Sequence, residues 1–203
     1  MSEAIHLPGG RDARGSLDAA GAADTVVVAC PPHPQQGGSP TDERLRAVSD
    51  ALLADGVDCL RLEYGPWAEG RGERRDVDNA VAWACERYDS VGLFGYSFGA
   101  TLALVVAGDG GVDAVSALSP TASLGEGLDA VAAVESIDAP TQVCHGERDT
   151  TVEWEPVVEA ARRRGFEVES FPADHFFVGQ SGTVADAVTA FLVGVLRASD
   201  SDD

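Results

Sequence analysis

Along the chain, short apolar runs alternate with longer segments whose apolar residues recur every three to four positions. Residues 25–30, 57–64, 90–96, 112–118, 140–145 and 166–171 are short and rich in Val, Leu or Phe, which predicts strands. Between them the spacing predicts helices. Leu45, Val48 and Leu52 share one face of 41–55, and Gly56 supplies a stop. Val77, Ala80, Val81, Ala84, Cys85 and Tyr88 line a face of 73–88; further helices are expected over 98–107 and 152–164, and Val184, Val188, Phe191, Leu192 and Val195 mark a last one. Strands apolar on both sides, alternating with helices, predict a mostly parallel sheet covered on both faces. Residues 12–20 could add an antiparallel strand at the N-terminal side. The expectation is a single α/β domain over 1–203, with 1–11 and 198–203 frayed.

One strand runs into a motif. Val91-Gly92-Leu93-Phe94 leads to Gly95-Tyr96-Ser97-Phe98-Gly99 and then to the helix-forming Ala100-Thr101-Leu102-Ala103-Leu104. Gly-x-Ser-x-Gly between a strand and a helix is the sequence of a sharp turn that lifts a serine out of the backbone at a helix N-terminus, where a developing anion is favoured. A serine needs a base to become nucleophilic. The chain has four histidines. His6 precedes the predicted fold, and His33 and His145 lie at strand ends, where structural roles suffice. His175 follows the last predicted strand, in Ala173-Asp174-His175-Phe176-Phe177. The acid is expected between nucleophile and histidine, and Asp149 leaves the carboxyl end of the intervening strand; Glu147 and Asp174 are rivals. The order Ser97, Asp149, His175 is that of α/β hydrolases, with each residue on a different strand end along one sheet edge. An oxyanion hole requires two N–H donors. One is expected from the amide of Phe98. The other is expected from the loop Pro31-Pro32-His33-Pro34-Gln35-Gln36, with Gln35 the preferred donor because proline has no N–H, and Gln36 the fallback. His33, Tyr64, Trp67 and Tyr96 are candidate pocket residues. Glu73 and Asp76 read as acids of a helix's first turn, and Arg162-Arg163-Arg164 as the basic last turn of another.

Composition then constrains partners and solvent. The 34 acidic residues outnumber 14 basic ones, a formal charge of −20, and every basic residue is arginine; 44% of the chain is apolar, so this is not a disordered acidic tail. The field has the wrong sign for nucleic acid. No run of about 18–20 apolar residues predicts a membrane span, and no signal-like start is present, so a cytoplasmic location is expected. Self-repulsion on this scale disfavours a compact state in dilute buffer and is screened at molar salt. The composition resembles that of halophilic archaeal proteins; an ordinary acidic protein from a high-GC genome is the alternative. Cys30, Cys59, Cys85 and Cys144 stand singly in apolar stretches without metal-ligand spacing and read as buried small hydrophobes.

Taken together, Pro31-Pro32-His33-Pro34 through Gly38, Arg61-Leu62-Glu63, Gly70-Arg71-Gly72-Glu73 through Asp76, and the three motifs around Ser97, Asp149 and His175 resemble a family of small α/β-superfamily hydrolases of His-Pro-His-Pro type. Dienelactone hydrolases are more distant relatives. The resemblance spans roughly residues 25–196. Pro31 stands where the family has its first histidine, Glu63 where it has an amide, and Gly65-Pro66-Trp67 where it often has Arg-Gly. The resemblance implies an α/β-hydrolase fold with a serine triad. The residues themselves predict a minimal cap from 119–136, carrying Leu124, Leu128, Val131 and Val134, and a shallow site for small or medium esters or lactones that needs no cofactor or metal. Thioester or amide cleavage, and a binding protein that retains the triad without turnover, are the alternatives.

Overall fold

The computed structural model describes residues 2–199. Its strands are β1 (Ser2–His6), β2 (Arg14–Asp18), β3 (Thr25–Cys30), β4 (Asp58–Glu63), β5 (Ser90–Tyr96), β6 (Ala114–Leu118), β7 (Thr141–Gly146) and β8 (Glu167–Phe171). Its helices are α1 (Glu43–Ala54), α2 (Arg71–Cys85), α3 (Phe98–Ala107), α4 (Ala130–Ser136), α5 (Glu155–Arg164) and α6 (Ser181–Ser199). The strands form one sheet in the order β1-β2-β4-β3-β5-β6-β7-β8. β3 to β8 run parallel, while β2 pairs antiparallel with both β1 and β4. The antiparallel strand expected within 12–20 is therefore present. Residues 2–6, expected to be frayed, instead pair with it in register from Ser2↔Asp18 to His6↔Arg14, which satisfies their backbone groups. At the other terminus, 198–199 continue α6, and 200–203 lie outside the described residues.

Period-two alternation divides the apolar strands between two cores. Val26, Val28 and Cys30 of β3 belong to the core shared with α2, α3, α4 and α5, whereas Val27 and Ala29 belong to the core shared with α1 and α6. α6 is long and apolar enough to cross a bilayer, with mean hydropathy 1.3 over Ser181–Ala198. Its stripe Val184, Val188, Leu192 and Leu196 is buried in the second core, however, so its hydropathy is that of a core helix. Cys30, Cys59 and Cys144 are buried as expected. Cys85 is exposed, because the last turn of α2 carries it away from the sheet.

The segment 119–136 is mostly part of the body, not a cap. Asp129 caps α4 by accepting the Ala132 N–H at 2.9 Å. Ala130 and Val134 are buried, and Thr121 and Ala122 are pinned to Thr101 and Glu153. The sheet connects outward in both directions from β3, first to β4 and then back across to β5. The carboxyl ends of β3 and β5 thus border the crevice where open α/β sheets place ligands.

Candidate active site

β5 turns into α3 at Ser97, whose backbone has φ 56° and ψ −118°. A non-glycine residue adopts this strained region only where its surroundings over-determine it. Here the Ser97 N–H donates to the Leu118 carbonyl at 2.8 Å. A Cβ at Gly95 would lie 2.3 Å from the Gly99 carbonyl oxygen, and one at Gly99 would lie 2.2 Å from that of Cys30. The turn therefore closes only with glycine on both sides of the serine, and it leaves Oγ at the sheet's carboxyl edge.

Three strand ends meet there. His175 Nε2 is 3.0 Å from Ser97 Oγ, and His175 Nδ1 is 2.8 Å from Asp149 Oδ2. The Asp149 side chain is fully buried; its Oδ1 accepts the Thr151 N–H at 2.9 Å, which leaves Oδ2 for the imidazole. The acid loop is braced by the Trp154 indole, which donates to the Asp149 carbonyl at 3.0 Å and stacks on His145 with ring centroids 3.9 Å apart. The rival acids are elsewhere. Asp174 accepts the Phe176 N–H within its own exposed turn, and exposed Glu147 faces Ser170. His6 sits in edge strand β1.

Above Ser97 lies an open cavity of about 410 Å³ whose walls include His33, Tyr96, Phe98, Leu124, Val152 and Phe176. From the segment 119–136, Thr121 and Leu124 reach it. The Tyr96 hydroxyl donates to the His175 carbonyl at 2.9 Å, and burial pushes this phenol up to about 12. Arg44 also lines the cavity and holds the neighbouring carbonyl, donating to Phe176 O at 3.0 Å while pairing with both carboxylate oxygens of Asp42. Its guanidinium lies 4.6 Å from the centre of the Tyr96 ring. Two of the four expected pocket side chains face elsewhere. Tyr64 is buried behind the site, its hydroxyl donating to the Pro31 carbonyl at 3.0 Å, because β4 delivers it beneath the loop after β3. Trp67 packs against His33 and Phe98, with centroids 4.6 and 5.9 Å away, and forms no part of the cavity wall.

The expected oxyanion donors also need correction. The Gln35 N–H donates to His33 Nδ1 at 3.2 Å and the Gln36 N–H to the His33 carbonyl at 2.9 Å, so the turn Pro34–Gln36 consumes both amides internally. Among the described residues, no acceptor is hydrogen-bonded to the amide of His33 or of Phe98. The signal was available by elimination, since residues 31, 32 and 34 are prolines and His33 carries the one N–H of that stretch. Glu73 and Asp76, read as helix-dipole acids, are fully buried fasteners. Glu73 accepts the N–H groups of Ala68 and Gly70, each at 2.8 Å; Asp76 accepts Arg11 Nε and the Gly65 N–H at 2.8 and 2.9 Å. Together they fix the loop carrying Trp67. That acids would be needed inside was hidden by their position at the start of a helix.

Solved structures share this architecture over nearly the full length of each chain. An α/β serine hydrolase homologue from Coxiella burnetii is 23% identical, with 93% of this chain and 95% of that one covered at a TM-score of 0.78. A serine hydrolase without a lid from Xanthomonas campestris is 20% identical over 96% and 95%, at 0.80. Est1E from Butyrivibrio proteoclasticus, also solved with ferulic acid bound, is 16% identical over 96% and 99%, at 0.82. The architecture is thus the α/β-hydrolase fold. No curated protein matches the chain closely enough in sequence to count as a relative. The family model of the dienelactone hydrolases matches residues 69–192, which hold the elbow, the acid loop and the histidine, and the chain belongs to the dienelactone hydrolase family.

Proposed function

We propose that the chain is a single-domain serine esterase in which Ser97 is the nucleophile, His175 the general base and acid, and Asp149 the residue that orients the imidazole. The observation carrying this reading is the pair of hydrogen bonds, 3.0 and 2.8 Å, that joins the three side chains beneath the cavity. Ser97 Oγ attacks an ester carbonyl while His175 Nε2 takes its proton. The carbonyl oxygen, now negative, accepts hydrogen bonds from the backbone N–H groups of Phe98 and His33. His175 returns the proton to the departing alcohol as the acyl-enzyme forms. A water molecule, deprotonated by the same imidazole, then releases the acid and restores Ser97. The buried Asp149 carboxylate keeps the Nδ1–H in place and stabilises the imidazolium at each transfer.

Incubation with a fluorophosphonate probe tests the assignment. The native chain becomes covalently modified at Ser97 and hydrolyses p-nitrophenyl acetate and butyrate faster than thioester or anilide analogues. Ser97→Ala with an unchanged melting profile shows neither reaction. A native chain that is folded, unlabelled and inactive overturns the reading. The net charge of −20 and the use of arginine without lysine support, as part of this proposal, a salt-rich cytosol of halophilic type, so these assays belong at molar KCl.

A further inference from the structure

His33 contributes an amide to the proposed oxyanion hole, but its side chain is also unusually constrained. Nδ1 accepts the Gln35 N–H at 3.2 Å, so that nitrogen carries no proton and the proton of the neutral ring is on Nε2. A second proton on Nδ1 would point directly at the Gln35 N–H. Burial likewise holds this imidazole below its ordinary value, opposed by the charge of Glu73. The ring packs against both Trp67 and Phe98, with centroids 4.6 and 4.9 Å away, in a cluster of three mutually touching rings. Trp67 in turn rides on the loop fastened by Glu73 and Asp76. The result is an uncharged donor of fixed tautomer in the cavity wall, with no hydrogen-bond partner for Nε2 among the described residues.

Of the other polar side chains in that wall, Gln36, Thr121 and Thr151 have no ring contacts of the kind that lock His33, and Arg44 and Tyr96 are committed. Arg44 is taken up by Asp42 and Phe176 O, and the Tyr96 hydroxyl by His175 O. In the esterase reading the His33 amide meets the substrate carbonyl oxygen, and the ring of the same residue is then within one side chain's reach of the acyl group. We propose that His33 Nε2–H is a specificity-determining donor that selects esters and lactones whose acyl part carries an ether or hydroxyl oxygen on the carbon next to the carbonyl. The proposal rests on the serine esterase reading and adds the acyl class to it.

The matched probes are p-nitrophenyl methoxyacetate and p-nitrophenyl butyrate, which differ by oxygen in place of one methylene. For the wild type, the ratio of kcat/KM values, methoxyacetate over butyrate, should exceed the ratio of hydroxide-catalysed rates by about three- to tenfold, the size of one net hydrogen bond. A ratio equal to that of hydroxide overturns the proposal while leaving the esterase intact. His33→Asn retains a side-chain oxygen to accept the Gln35 N–H but lacks the ring donor; His33→Phe retains the ring but lacks both nitrogens. The excess ratio should vanish in both. If it persists in either, or vanishes in the phenylalanine variant alone, the effect belongs to packing or to the turn and the proposal fails. A wild type that hydrolyses neither ester and resists the fluorophosphonate overturns the underlying esterase reading and the acyl selectivity with it.

Discussion

Arg44 joins α1 to the loop that carries the proposed general base, and Arg44→Gln separates that joint from the loop's own sequence. Three interactions disappear together: the donation to Phe176 O at 3.0 Å, the paired contact with Asp42, and the cationic face 4.6 Å from the Tyr96 ring. A charged hydrogen bond to a carbonyl contributes about 1.5–3 kcal/mol and a cation over an aromatic ring about 0.5–1 kcal/mol. Glutamine can recover part of the former, so the expected loss of stability is about 1–3 kcal/mol. The catalytic effect should be larger than this implies. Arg44 and Tyr96 hold consecutive carbonyls, those of Phe176 and His175, and so set the reach of Nε2 toward Ser97. Displacement of reacting groups by about 1 Å costs on the order of a hundredfold in rate. Steady-state kinetics on a neutral p-nitrophenyl ester should therefore show kcat reduced about 10- to 100-fold with KM changed less than about threefold, and Arg44→Lys should recover part of kcat through its remaining donor. An unchanged kcat beside a raised KM would refute the reasoning, since Arg44 would then be binding substrate and not positioning the base.

Asp149→Asn should leave the fold intact and lower kcat by about 10⁴-fold, because an amide at this position can stabilise the wrong imidazole tautomer; fluorophosphonate labelling rates would report it. Gly99→Ala brings a methyl within 2.2 Å of the Cys30 carbonyl and 2.5 Å of the Pro31 carbonyl, so the elbow must open and a stability loss above about 3 kcal/mol is expected by denaturant melting. His145 is buried against Trp154 with neither ring nitrogen hydrogen-bonded, and burial holds it below the ordinary 6.5. A histidine lowered in this way takes up a proton on unfolding. Its contribution is complete above about pH 6.5 and is lost as pH falls from there toward the folded value. His145→Phe keeps the stack and removes the unsatisfied nitrogens, so its melting temperature should gain on the wild type more at pH 5.5 than at pH 8; an equal difference at both would exclude protonation as the cause.

How much of this was legible in the sequence differs by the range of the interaction. Strands apolar on both faces announced the parallel sheet, and Gly-x-Ser-x-Gly between β5 and α3 announced the elbow, because both depend on residues adjacent in the chain. The spacing of Asp149 and His175 after successive strands was legible for the same reason: strand ends converge whatever the intervening helices do. Contacts between distant loops were not. Tyr64 and Trp67 were expected in the pocket because both are aromatic and lie near its edge. Which way they face is decided by a hydrogen bond to Pro31 O in one case and by two buried acids on α2 in the other. Gln35 was misassigned because the turn beginning at Pro34 redirects its amide to His33, a local effect that turn chemistry could have revealed.

Those buried acids also limit what the net charge of −20 can mean. Asp58, Glu73, Asp76 and Asp149 are each at most 5% exposed, and every one accepts hydrogen bonds from named donors. Salt that shortens the Debye length to about 3 Å removes repulsion between exposed carboxylates, but it scarcely reaches buried groups. The acidic count is therefore two populations. Raising KCl from 0.1 to 3 M should raise the melting temperature by relieving the surface, while kcat at a temperature where the chain is fully folded stays within about twofold, because the groups that set the proposed triad are already screened by protein. If kcat instead climbed in step with salt under those conditions, the surface field would be reaching Ser97 and the division would be wrong.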